Sequence, residues 1–145
     1  MSMEDTSTFE SRKGLIRYKP EVVFNFVADI RNLERFIPEN TVTDLVTDNN
    51  SCSFRVGMLG RVDVKIDEKI PCSKIVYSGN LLQSNNFTLN LFLDEKDPGN
   101  TQAYILINSV MNPMLRMMAA EPVKRFLETL VTEMENFTGW SDVRK

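Results

Sequence analysis

A chain of 145 residues has the length of one ordinary globular domain, and a hydrophobic share of 42% supplies enough apolar side chains to fill a core without help from metals or disulfides. Lys and Arg number 17 against 20 Asp and Glu, a net charge of -3 with both signs dispersed, which argues against a nucleic-acid groove or a polybasic membrane anchor. The His count is 0, which removes Ser/His and Cys/His nucleophile pairs and histidine-ligated metals, and with them most familiar catalytic designs; no catalytic residue, cofactor or metal site is assigned from the sequence. The polar, acidic start Met1-Ser-Met-Glu-Asp-Thr6 lacks the pattern of a secretory signal, and no segment approaches the roughly 20 apolar residues of a membrane span, so a cytoplasmic protein is expected. Cys52 and Cys72 lack CxxC spacing and are expected to be unpaired, small, buried hydrophobes.

Residues 6–18 read as a strand, with Phe9, Leu15, Ile16 and Tyr18 mixed among charges. Phe9 and Ile16 fall on opposite faces of an ideal strand, and Gly14 between them is where a bulge would restore one face. Pro20 and Glu21 suit the first turn of a helix whose apolar side carries Val23, Phe24, Val27 and Ile30. Asp29 can cap a second short helix bearing Leu33, Phe36 and Ile37, which Pro38 should end. From Thr41 the period changes to two. Val42 to Thr47, the turn at Asp48-Asn49-Asn50, and Cys52, Phe54 and Val56 make a hairpin. Gly57 to Gly60 turns into a strand with Val62, Val64, Ile66 and Ile70 on one face and Arg61, Asp63, Lys65, Asp67 and Lys69 on the other. Pro71-Cys72-Ser73 reverses the chain into Lys74 to Gly79. Phe87, Leu89, Leu91 and Leu93 mark a strand ending in a turn over 94–100, and Ala103, Ile105, Ile107, Ser109 and Met111 share one parity of the last strand. Asn112-Pro113 then opens a helix of about seven turns, with an apolar stripe reaching Phe137. Pro122 should kink or break it near Met118, and Gly139 should supply the left-handed residue that stops it, with Trp140 folding back.

This order of elements is that of the helix-grip fold: an α+β architecture with a curved antiparallel sheet wrapped around a long, kinked C-terminal helix and two short helices after the first strand. The opening Tyr18-Lys-Pro-Glu-Val-Val-Phe-Asn-Phe-Val-Ala-Asp29 resembles that of the START-like, or SRPBCC, superfamily. Its continuation to Ile37-Pro38 is similar to the carbon monoxide dehydrogenase-associated branch of that superfamily. The resemblance covers nearly the whole chain and implies one START-like domain over 1–145, with flexible ends at 1–5 and 141–145. Members include polyketide cyclases, lipid and steroid carriers and hormone receptors, so it implies a cavity between sheet and helix without naming its content.

The expected ligand-binding residues are Phe54, Val64, Ile66, Leu89, Ile107, Met111, Met114, Met118 and Phe126, with Glu68 as a polar group in or at the rim of the cavity. Each has a plainer alternative: the cluster Met111, Met114, Met117 and Met118 as core filler, and Glu68 as a solvated strand residue. Tyr18, Tyr77 and Ser109 could orient a ligand through their hydroxyls. On the outward parity, Phe92, Tyr104, Leu106 and Val110 should form an apolar patch suited to a homodimer. The leading expectation is a non-catalytic binder of a small hydrophobic or amphipathic molecule, lipid- or polyketide-like. The alternatives are a cyclase- or hydrolase-like enzyme using Glu68 or a tyrosine, and an interaction module with a filled core.

Overall fold

The alternation read from the last strand sets the architecture. In β8 (Asn100–Met111) the side chains of Thr101, Ala103, Ile105, Ile107, Ser109 and Met111 are buried and those between are partly or fully exposed, as in a sheet with one dry face. The computed structural model describes residues 5–36, 42–48, 51–56, 60–81, 85–111 and 113–140. The elements before β8 are β1 (Asp5–Glu10), β2 (Gly14–Ile16), α1 (Pro20–Val27), a 3-10 helix over Ile30–Arg35, β3 (Val42–Thr47), β4 (Ser51–Val56), β5 (Gly60–Ile70), β6 (Lys74–Leu81) and β7 (Asn85–Asp97); α2 (Pro113–Asn136) follows it. One curved antiparallel sheet of 8 strands runs in the order β1-β8-β7-β6-β5-β4-β3, with β2 also beside β8. Apart from Val76 on the outer face, the buried apolar side chains of this sheet, α1 and α2 form one cluster.

The predicted first strand is two strands separated by an irregularity, and the reason is parity. Phe9 pairs with Ile107 and Gly14 with Ala103, so Arg12 and Lys13 together face Tyr104, and both Phe9 and Ile16 point into the core. Ser11 holds the break, its N–H donating to Ile105 O at 2.8 Å and its Oγ accepting from Ile105 N–H at 2.8 Å. The bulge also aims Arg12 at α2. Its guanidinium donates to Glu128 Oε2 at 3.1 Å, Thr132 Oγ1 at 2.9 Å and Glu135 Oε1 at 2.7 Å, while the Leu15 N–H donates to Glu135 Oε2 at 3.0 Å. Gly14 lies so close to the helix that a Cβ there would stand 2.6 Å from Val131 Cγ1.

The hydrogen bond from Arg12 is the chief reason the Glu135 carboxyl is held below its ordinary value of 4.5. A carboxyl with a depressed folded-state pKa adds stability above its ordinary pKa and loses it as pH falls through the folded value. Urea midpoints for Glu135→Gln and the parent are therefore expected to differ at pH 7 and to converge in acid below the ordinary range. A pH-independent difference would contradict the assigned ion pair.

Pro20 opens α1, which buries Val23, Phe24, Phe26 and Val27. Asp29 caps the 3-10 helix as predicted: its Oδ1 accepts the Arg31 N–H at 3.0 Å, and both oxygens take the Arg31 guanidinium at 3.0 and 2.7 Å. Asn32 Nδ2 donates to Phe26 O at 2.9 Å and ties this turn back to α1. Ile37 and Pro38, the turn residues Asn49 and Asn50, the loop 57–59 and Asn112 lie outside the described residues. The turn predicted over 94–100 is tighter than expected, with Pro98-Gly99 alone between β7 and β8.

Helical structure continues through Pro122 to Asn136, so no break occurs near Met118; the proline removes only the amide that would bond the Met118 carbonyl, in a partly exposed stretch. Gly139 does not act as the left-handed cap. The left-handed glycines among the described residues are Gly60 and Gly99, and a Cβ on Gly139 would instead lie 2.8 Å from the Phe137 ring. Trp140 does fold back. It is 0% exposed and joins Phe26, Phe36 and Phe137 in a four-ring cluster with centroid separations of 5.0 to 5.8 Å.

Candidate functional site

The inner face of the sheet is built from cross-strand rows. Ile66, Tyr77, Leu89, Ile107 and Phe9 form one row, and Cys52, Val64, Gly79, Phe87, Ser109 and Ser7 form the next. Over these rows α2 presents Val123, Phe126, Leu130 and Met134, which recur three to four residues apart on one helix face. Between helix and sheet lies an almost wholly apolar cavity of about 140 Å³, with Val27 of α1 and Phe36 in its lining.

Of the residues expected from sequence, Phe54, Val64, Leu89, Ile107, Met111 and Phe126 line this cavity. Ile66 is half-buried and packs on the core without lining it. Glu68 is exposed, contrary to expectation. The pairing shifts between Ile66, opposite Tyr77, and Glu68, opposite Val76, and this bulge transfers Glu68 to the outer face. Met114 and Met118 are also off the site, 73% and 52% exposed, and Met117 is 81% exposed. The buried stripe Ala119, Leu127, Val131 and Met134 fixes the phase of α2, and at 3.6 residues per turn Met114 falls on the opposite side.

Several lining residues carried no signal as site residues: Val27, Phe36, Cys52, Leu91, Ile105, Pro122, Val123, Leu130 and Met134. Tracing the helical stripe backward from Met134 rather than forward from Met111 would have found the α2 members. Cys72 is exposed in the turn between β5 and β6 at φ 60°, unlike the buried Cys52. The candidate hydroxyls are all engaged. Tyr77 OH donates to Val27 O at 2.8 Å, Tyr18 OH to Thr138 O at 3.1 Å and Ser109 Oγ to Asn86 O at 2.9 Å. Full burial pushes the Tyr77 phenol far above its ordinary ionisation range, so it stays protonated.

The outward patch is smaller than predicted. Phe92 stacks on Tyr104 at 4.8 Å, with Lys74 Nζ 5.2 Å from the Phe92 centroid and Lys13 Nζ 5.6 Å from that of Tyr104. Leu106 adjoins them, but Asn108, flanked by Thr88 and Thr8, separates Leu106 from Val110. The contiguous surface expected for a homodimer is thus divided by a polar row.

Among the described residues no cluster of acidic, Cys or His side chains could hold a metal ion, and no helix is long and apolar enough to cross a membrane. Neither a family model nor a curated protein matches the sequence. Solved structures do match in shape. Norcoclaurine synthase from Thalictrum flavum superposes with a TM-score of 0.70 at 5% identity, over 92% of this chain and 86% of that one. A hypothetical protein from Helicobacter pylori gives 0.65 at 8% identity over 95% and 88%, and a Rhizobium loti protein 0.61 at 19% identity over 90% and 98%. With the sheet order and the long C-terminal helix, these likenesses establish the helix-grip fold for this chain.

Proposed function

We propose that the protein binds a small apolar molecule in the cavity between α2 and the sheet, without catalysis. The observation that supports this reading is the apolar cavity of about 140 Å³. Apolar voids of roughly 150 Å³ lined by aliphatic and aromatic side chains stay dry and admit benzene. The volume is below the roughly 300 Å³ of ordinary ligand sites, so the reading narrows from a lipid or polyketide to a single ring or a short chain. The similarity to a synthase favours an enzyme, but the cavity lining includes no carboxylate or amine, and its one phenol, Tyr77, is committed to Val27 O.

The test is benzene uptake followed by side-chain methyl shifts, in the parent and in Phe126→Trp, which fills the void. The parent is expected to show saturable shifts at Leu89, Ile107 and Leu130, and the variant to bind at least about tenfold more weakly, the equivalent of 1.4 kcal/mol. Absence of shifts in the parent, or equal uptake by a folded variant, would reject the reading.

A further inference from the structure

A second concavity, of about 680 Å³, lies between β1 and the first half of α2, and Met111 belongs to its wall as well as to that of the apolar cavity. Its floor is apolar, with Phe9, Met111 and Ala120. Ser7 also lines the groove, a residue 2% exposed whose Oγ is buried without a hydrogen-bond partner among the described residues. A buried hydroxyl with no partner is a cost that a bound polar group removes.

The helix side of the groove is cationic. Arg116, Ala120 and Lys124 recur at i, i+4 and i+8, so both long side chains flank the same stretch of groove. Arg12 and Arg31 are both bonded to carboxylates, whereas neither Arg116 nor Lys124 has an ion pair among the described residues. The positive end of the α2 dipole lies on the same side, at Pro113. Glu10 is the one acid in the lining and comes from the strand side, so an anion is favoured only toward the helix.

We propose that this groove binds a single-chain anionic amphiphile, such as an alkyl carboxylate. The carboxylate is closed over by Arg116 and Lys124 and accepts from Ser7 Oγ once that side chain turns out of its buried position, and the chain lies along Met111 and Met117. This site is separate from the apolar cavity and does not require the cavity to be occupied.

The experiment is a titration of the whole protein with decanoate, decanol and decylammonium, each below its micelle concentration. It uses the parent, the double variant Arg116→Gln/Lys124→Gln and the cavity-filled Phe126→Trp. The parent is expected to bind decanoate about tenfold more tightly than decanol, in line with charge-assisted hydrogen bonds, and decylammonium most weakly. The double variant, whose substitutions are both on exposed side chains, should keep its melting temperature and lose the preference. Phe126→Trp should retain the preference even if benzene uptake is abolished, which keeps failure of the cavity reading distinct from failure of this one. Equal binding of decanoate and decanol, or a preference that survives the double substitution, would overturn the proposal. So would flotation with anionic vesicles that depends on Arg116 and Lys124 while monomeric decanoate fails to bind, since that result marks a membrane contact through Met114, Met117 and Met118.

Discussion

Trp140→Ala is expected to destabilise the protein by about 3–5 kcal/mol, the range for removing a fully buried aromatic side chain, and to lower the melting temperature by about 10–15 °C. The indole touches Phe26 of α1, Phe36 after the 3-10 helix and Phe137 after α2, so its loss opens a void where three segments meet. Trp140→Phe should cost much less. It keeps a ring in the cluster and also removes Nε1, a buried donor with no partner among the described residues. Chemical denaturation of both variants checks the pair, and a loss below about 1 kcal/mol for the alanine variant would show that the cluster does not anchor the end of α2.

Gly14→Ala is expected to destabilise as well, by about 1–3 kcal/mol through overpacking. The backbone at Gly14 is not left-handed, so the added methyl meets no torsional penalty and would by itself stiffen the unfolded chain favourably. The steric conflict decides the sign, because 2.6 Å from Val131 Cγ1 forces α2 away from β2 and strains the Arg12–Glu135 contact beside it. Val131→Ala in the same chain should relieve part of the penalty. The double variant is expected to be more stable than the two single losses added together, by about 0.5–3 kcal/mol of coupling. Strict additivity in denaturation experiments would contradict the close approach.

The sequence made the fold legible wherever one face of an element is wet. The alternation from Arg61 to Ile66 and from Thr101 to Met111 follows directly from a sheet with one dry side. Pro20 and Asp29 marked helix starts through their local chemistry. Legibility failed where a single inserted residue or a small rotation matters. Period-2 reasoning carried Glu68 inward because nothing in Ile66-Asp67-Glu68 announces the bulge that reverses its face. Methionine is apolar enough to be read as core, yet Met114 and Met118 fall outside the arc that Leu127, Val131 and Met134 define. The outward patch failed for a different reason: parity placed its members on the correct face, but only the strand register reveals Asn108 between Leu106 and Val110.

The two halves of α2 are held very differently. Its distal half is clamped by Glu128 and Glu135 on Arg12, by Val131 on Gly14, and beyond Asn136 by the ring cluster. Of its first turns only Ala119 is fully buried, with Leu115 and Ala120 half-buried against the core, and they end near Pro122, where one rung of the amide ladder is missing. Mechanically the helix is a beam clamped along its distal half and only pinned at its tip, where β8 ends at Met111 and α2 begins at Pro113. Small excursions of that tip disturb few fully buried side chains, so amide exchange along α2 should quicken from the clamped end toward Pro113, beside the Met111 that the cavity and the groove share.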